Sequence, residues 1–308
     1  AYEMLRSLVG SEMCIRDRSS GRRCSSDGRT VRWARAAAME GRLMALATLF
    51  VDSDDGVLSI TLSRPEAYNA LTGTMCEELS AVLNTARRDD SIRSVLLTGA
   101  GKAFCAGQDL RELAELRKSA GEDYDVGSLV RSRYNPLIVQ MRTLEKPIVA
   151  AVNGVAAGAG ASLVLCADLR IAVRSATLKF AFVQVGLVPD CAATLTLIQD
   201  VGYARAAELC MLGEGLSAAD AAAMGLINRV CEEVELSTLA RGLAVRLAQA
   251  PTKAIGLTKR ALNRSWTSPL GEQLEYEALL QSAACGTSDH AEGVAAFLEK
   301  RRPRFTGN

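Results

Sequence analysis

Two stretches of small residues stand where chemistry can be built from the main chain itself. The first is Ala103-Phe104-Cys105-Ala106-Gly107-Gln108-Asp109-Leu110, the second Asn153-Gly154-Val155-Ala156-Ala157-Gly158-Ala159-Gly160-Ala161. Each runs from an apolar, strand-like run into a helical pattern. Small side chains let a ligand approach the backbone, and a helix start leaves N–H groups unused. Two such loops side by side can aim two N–H donors at one oxygen, an oxyanion hole. Either loop alone also reads as a tight packing turn. A nucleotide-binding loop fits poorly, because Gly158-x-Gly160 lacks a third glycine and no Gly-Lys-Ser/Thr follows.

The third feature is Val185-Gly186-Leu187-Val188-Pro189-Asp190-Cys191. Asp190 is the only acid between Asp168 and Asp200, and Phe180, Phe182, Val183, Leu187, Leu195 and Leu197 are its apolar neighbours in sequence. An apolar site raises a carboxyl pKa toward the range useful for proton transfer. The alternative is a helix N-cap following Pro189.

Composition narrows what these residues can be doing. The 308 residues hold one histidine, His290, so a multi-histidine metal site is excluded and a Ser-His-Asp or Cys-His mechanism would depend on that residue. Carboxylates and backbone dipoles must carry the chemistry. Nine cysteines are scattered without a Cys-x-x-Cys pair, which argues against a zinc ribbon or redox motif and for a reducing, cytoplasmic setting. Lys plus Arg is 36 against 35 Asp plus Glu, so nothing global draws the chain to nucleic acid or an anionic membrane. Residues 148–167 carry no charge over 20 positions, long enough to span a bilayer. Asn153, three glycines and many alanines interrupt them, and Pro147 precedes them. A buried strand, a Gly/Ala loop and a buried helix are the better account.

The elements that must position these loops follow from periodicity. Residues 58–63 alternate as a half-buried strand, and Arg64-Pro65 ends it. From Thr74, the spacing of Met75, Leu79, Val82, Leu83 and Ala86 predicts a helix. Short apolar strands are expected at 94–98, 147–152 and 169–173. Alternating strands and helices mean an α/β domain with largely parallel pairing. Beyond about residue 203 the pattern turns helical. Ser217 and Asp220 suggest a capped helix start, and further helices are expected near 236–249, 252–264, 270–284 and 288–300.

Residues 1–43 differ from all this: nine Arg, no Lys, five acids and no sustained period. The acids argue against a mitochondrial transit peptide. The string SLVGSEMCIRDR resembles translated upstream DNA, and Met39 and Met44 are alternative starts. This segment is expected to be a disordered or non-native extension.

Six strings, in order, resemble the enoyl-CoA hydratase/isomerase (crotonase) superfamily over about residues 47–306. They are Leu62-Ser63-Arg64-Pro65-Glu66 with Asn69-Ala70-Leu71; AFCAGQDL from Ala103; PIVAAVNGVAAGAGASL from Pro147; GLVPD from Gly186; LSAADAAAMGLINRV from Leu216; and FLEKRRPRF from Phe297. Within the superfamily, FCAGQDL, Tyr134-Asn135-Pro136-Leu137, NGVAAGAGA and GLVPDC resemble epoxyphenylacetyl-CoA isomerases of phenylacetate breakdown.

The resemblance implies an α/β spiral of ββα repeats over 44–235, a C-terminal helical trimerisation region over 236–308, and a homotrimer or dimer of trimers. It implies an acyl-CoA substrate whose thioester carbonyl sits between the N–H groups of Gln108 and Ala159. Glu66, Ala67, Ala106, Gln108, Asp109, Leu110 and Gly158 would contact the substrate or its CoA. Asp190 takes the isomerase acid/base position, while the two hydratase glutamate positions fall on Ser162 and Phe182. No metal or redox cofactor is implied. The usual Gly-Gly pair after Asp-x is Ala192-Ala193 here, whose methyls would narrow the acyl pocket. An isomerase of epoxyphenylacetyl-CoA to the oxepin, or of enoyl-CoA double bonds, is therefore expected. Alternatives are a fatty 3-enoyl-CoA isomerase, a hydratase-like enzyme, or a non-catalytic RNA-binding member of the fold. RNA-binding members carry a lysine-rich helix, whereas 74–88 has only Arg87 and Arg88 as bases, beside Glu77 and Glu78.

Overall fold

A computed structural model of the chain describes residues 44–121 and 124–308, so the expected extension 1–43 lies outside the described residues. The chain enters as an antiparallel ribbon of β1 (Met44–Ala45), β2 (Leu49–Asp54) and β3 (Val57–Leu62). Thr72 caps α1 (Gly73–Arg88) by accepting from the Met75 N–H. The face predicted by spacing, Met75, Leu79, Val82, Leu83 and Ala86, is buried. On its outer side Glu78 accepts from the Ala47 and Thr48 N–H groups, and Arg87 donates to Thr143, so this helix presents no basic stripe.

One unit now repeats three times: a long strand, a tight corner, a short strand. First come β4 (Ser94–Gly99), β5 (Ala103–Cys105) and α2 (Leu110–Ala120), then α3 (Val126–Leu129), a π-helical turn (Val130–Tyr134) and α4 (Asn135–Thr143). Next are β6 (Ile148–Val152), β7 (Val155–Ala157) and α5 (Ala159–Cys166). Then follow β8 (Leu169–Val173), β9 (Thr177–Lys179), a 3-10 turn (Ala181–Val185) and α6 (Ala193–Leu212). After β10 (Gly215–Ser217) and α7 (Ala218–Ala223), β11 (Arg229–Cys231) completes the sheets. The long strands lie in one seven-stranded sheet, order β1-β2-β3-β4-β6-β8-β11, parallel from β3 onward. The short ones form a four-stranded sheet, order β10-β9-β7-β5. Each corner thus hands the chain from one sheet to the other, and the repeats stack into a spiral.

The corners are close enough to dictate residue type. A Cβ on Gly154 would stand 2.1 Å from the Lys102 carbonyl oxygen. Asn153 ties two corners together, donating to Gly101 O at 2.9 Å and accepting from the Gly99 N–H at 3.2 Å. Asn69, fully buried, donates to Ala100 O and Ala103 O. The charge-free run 148–167 therefore divides into β6, β7 and α5. The stretch expected as a Gly/Ala loop holds the strand β7, whose three residues, Val-Ala-Ala, show no alternation. Among the described residues no helix is long and apolar enough to cross a membrane. The helical pattern expected from 203 is the second half of α6, which Gly202 divides by leaving helical geometry at φ 76° and ψ 167°.

Helix α8 (Glu233–Ala248) lies across β3, β4, β6 and β8, its buried Ala240, Ala244 and Ala248 allowing close contact with the sheet. It crosses the boundary expected at 235/236, so residues 236–248 pack as part of the core. Beyond it come α9 (Thr252–Ser265), α10 (Leu270–Cys285) and α11 (Ser288–Leu298). α9 is anchored by Lys259, which donates to Asp168 at 2.7 Å and to Met141 O at 2.8 Å. The tail folds back: Asp289 accepts from the Thr306 and Gly307 N–H groups, and Arg93 donates to Phe305 O.

Candidate active site

The site begins with one peptide unit. Leu71, just before α1, makes an isolated parallel bridge to Gln108. Its N–H donates to Gly107 O at 2.7 Å, and its carbonyl accepts from the Asp109 N–H at 2.9 Å. A trans peptide sets its C=O and N–H on opposite sides, so the Gln108 N–H points away from Leu71. On that side runs the second loop. A Cβ on Gly107 (φ 90°) would stand 2.6 Å from Ala157 O and 3.3 Å from the Ala159 nitrogen. Gly158, at φ 50° and ψ −126°, turns the chain so that Ala159 opens α5 with its N–H outside the helical ladder. Among the described residues neither the Gln108 nor the Ala159 N–H has an acceptor. The two loops are brought together, and each contributes one unused donor.

Asp190 is placed beside them through α5. Ser162, one turn beyond Ala159, lies with its hydroxyl 3.3 Å from both Gly158 O and Asp190 O. The cap alternative for Asp190 fails: the N-cap of α6 is Ala192, and no side chain caps that helix. The Asp190 carbonyl closes the turn, accepting from the Ala193 N–H at 3.0 Å. The carboxylate keeps one oxygen, Oδ1, enclosed and without a partner. Burial pushes this carboxyl above its ordinary value of 3.8.

The surroundings differ in part from the sequence expectation. Phe180, Phe182 and Leu197 are buried, but Val183, Leu187 and Leu195 are 44%, 38% and 51% exposed and line the outer side of the turn. Phe182 closes on the second loop, its Cζ 4.0 Å from where a Gly158 Cβ would sit. Neither hydratase position therefore holds a carboxylate. Cys191 and Ala192 follow Asp190 at φ 53° and 61°. Left-handed geometry costs a non-glycine residue about 1–2 kcal/mol, so of the Ala192-Ala193 pair only Ala192 stands in a conformation that favours glycine. Ala193 begins α6 and is fully buried.

The remaining expected contacts lie on the turns next to these loops. Glu66 and Ala67 lie in the turn Pro65–Ala67, and the next residue's carbonyl, Tyr68 O, accepts from the Ala106 N–H at 2.9 Å. Glu66, Ala106 and Leu110 are exposed. Asp109 is different: its carboxylate caps α2 and pairs with Arg64 at 2.9 Å. Burial pushes that carboxyl up, but the bonds from Arg64, Glu112 N–H and Arg111 N–H outweigh it and hold the group below its usual range. Its side chain is scaffold. His290 sits in the first turn of α11, its N–H held by Thr287.

Sequence reasoning assigns no role to Tyr134, which is 3% exposed with its hydroxyl enclosed and unpartnered. The string Tyr-Asn-Pro is legible; the direction of the side chain is not. Pro136 lacks an N–H and obstructs the carbonyl one turn earlier. The helix widens there, with the Asn135 N–H donating to Val130 O, and Tyr134 is the buried residue of that turn. Arg64 and Asn69 belong to a quoted motif, but their bracing of Asp109 and of the corners emerges only with the fold.

A sequence profile described as enoyl-CoA hydratase/isomerase matches residues 52–308. The 1,2-epoxyphenylacetyl-CoA isomerase of Escherichia coli K12 is 45% identical over 254 residues, 82% of this chain and 96% of that protein. The trans-2-decenoyl-[acyl-carrier-protein] isomerase of Streptococcus mutans is 35% identical over 269 residues, 86% of this chain and 100% of that protein. The crystal structure of an enoyl-CoA hydratase from Polaromonas sp. JS666 aligns with a TM-score of 0.79 at 35% identity, covering 83% of this chain and 99% of that one. Stacked repeats of paired strands, two facing loops and near-complete coverage in each comparison lead to one conclusion: the chain is a crotonase-fold enzyme and belongs to the enoyl-CoA hydratase/isomerase family.

Proposed function

We propose that the chain is an acyl-CoA isomerase that stabilises a thioester enolate between two backbone donors and moves a proton with Asp190. The observation that carries this reading is the Asp190 carboxylate, with its Oδ1 enclosed and without a partner, beside two unused N–H groups, with Ser162 and Phe182 where a hydratase needs carboxylates. The thioester oxygen accepts from the Gln108 and Ala159 N–H groups. Asp190 takes a proton from the carbon next to the thioester carbonyl. The C–H bonding pair moves into the enolate, and its charge comes to rest on the oxygen held by the two donors. Protonated Asp190 then returns the proton two carbons further along, and the double bond ends in conjugation with the thioester. On a substrate whose ring carries an epoxide, the same donors favour opening toward the oxepin.

Glu66, Ala67, Ala106, Leu110 and Gly158 form the rim that meets CoA, with Gln108 and Asp109 contributing main chain. CoA belongs to the substrate, and the reading calls on no metal or redox cofactor. The E. coli relative favours an epoxyphenylacetyl group; the S. mutans relative favours a second reading, a straight-chain enoyl group. The test is a spectrophotometric screen of purified protein against acyl thioesters. Isomerisation of epoxyphenylacetyl-CoA or of a 3-enoyl-CoA is expected to exceed hydration of crotonyl-CoA by roughly a hundredfold, since one carboxylate does the work of two poorly. Equal rates would overturn the reading.

We further propose that the chain works as a trimer or dimer of trimers through α9–α11. Leu262, Leu270, Leu274, Leu279, Phe297 and Leu298 are exposed there, apolar side chains that a neighbouring subunit would cover. Light scattering at micromolar concentration should return a multiple of three chains. A monomer with full turnover would refute this.

A further inference from the structure

Among the described residues, six enclosed side-chain atoms have no hydrogen-bond partner, and three of them belong to Gln108, Tyr134 and Asp190. Unlike an amide, neither the Tyr134 hydroxyl nor Oδ1 of Asp190 can be satisfied by exchanging oxygen and nitrogen in the assignment. A buried polar group left unpaired is costly, and such groups are rare enough to need a reason. The two lie in the same region of the molecule. The π-helical turn carrying Tyr134 packs on α1, whose start follows directly from Leu71 and its bridge to Gln108. Arg133 beside it is fixed by Glu112, which also accepts from the Gly73 N–H. The next helix, α4, packs on α5, which carries Ala159 and Ser162.

Burial first, then the nearby Cys76, Cys191 and Asp190, push the Tyr134 hydroxyl well above the ordinary tyrosine value. It stays protonated and is available as a donor. It is not bonded to Asp190, and a substrate that met both would offer an acceptor to Tyr134 and a carbon-bound proton to Asp190. A plain alkenyl chain offers only the second. We propose that Tyr134 is a substrate-binding residue of the acyl pocket, donating to an oxygen carried by the acyl group, so that the site selects oxygen-bearing acyl thioesters over hydrocarbon ones. This rests on the acyl-CoA reading above.

The test uses two ligands that do not turn over, phenylacetyl-CoA and its ortho-hydroxy counterpart, with binding measured by calorimetry. The wild-type protein is expected to prefer the hydroxy ligand by about tenfold, the typical value of one well-made buried hydrogen bond. In Tyr134→Phe that preference should vanish, with the loss falling on the hydroxy ligand. The variant should melt at or above the wild-type temperature, because it sheds an unpartnered buried hydroxyl. An unchanged preference in Tyr134→Phe would overturn the proposal. So would a lower melting temperature with both ligands weakened alike, which would mark the hydroxyl as structural and bridged by a buried water. If the wild type binds neither ligand while remaining folded, the acyl-CoA reading itself falls, and the proposal with it.

Discussion

Asp190→Asn is expected to lower the isomerisation rate by about 10²–10⁴ while leaving the protein folded. Asparagine keeps the size of the side chain and removes its basicity. Because the N-cap of α6 is Ala192 and no side chain caps that helix, the substitution has no capping role to disturb. Stability should move the other way from activity. Burial raises the Asp190 pKa, so the favourable contribution of this group is complete at acid pH and is lost as pH rises through the raised value. Above it, the folded state holds a charge that the unfolded chain solvates better. The asparagine side chain carries no such charge, so the variant should melt higher than wild type near neutral pH, with the difference shrinking as pH falls toward the ordinary carboxylate range. Wild-type kcat/KM should show an acid limb above the usual aspartate value, absent from the residual rate of the variant. Near-normal turnover by Asp190→Asn would remove Asp190 from the mechanism. A lower melting temperature at neutral pH would show that its carboxylate has a native partner.

Much of this site was legible because it is built from the main chain. Two facing backbone donors need loop shape and small residues, and both are written in Gly107 and in Gly158-Ala159. The amphipathic face of α1, the uncharged strands β4 and β6 and the mostly apolar β8 were legible because burial on one or both faces imposes a period. Short strands were not: β5, β7, β9 and β10 each span three residues, too few for alternation to register, and they exist because neighbouring repeats present edges to pair with. The environment of Asp190 was half legible. Apolar neighbours in sequence alternate between facing the core and facing outward, so Phe182 closes on the site while Leu187 and Leu195 turn away. Tyr134 was the furthest from reach. Its burial depends on a helix widened by Pro136 and on packing against α1, a contact between residues about 60 positions apart in sequence.

Gly107→Ala tests the other half of the proposed mechanism, the donors rather than the base. Gly107 stands at φ 90°, and the new Cβ would meet Ala157 O at 2.6 Å and the Ala159 nitrogen at 3.3 Å, both backbone atoms that cannot swing aside. The loops must separate, and the Gln108 and Ala159 N–H groups no longer converge on one oxygen. Loss of an oxyanion donor typically costs about 10²–10³ in rate. Gly225→Ala serves as control, because Gly225 has nearly the same φ, 91°, with nothing within 4 Å of the added methyl. That variant should show only the backbone penalty, about 1–2 kcal/mol of stability, with turnover preserved. Gly107→Ala should be destabilised further and should lose activity in proportion to neither its melting temperature nor its residual folded fraction. If the two variants retain the same turnover per folded molecule, the approach of the two loops is a packing feature, and the thioester oxygen must be held elsewhere.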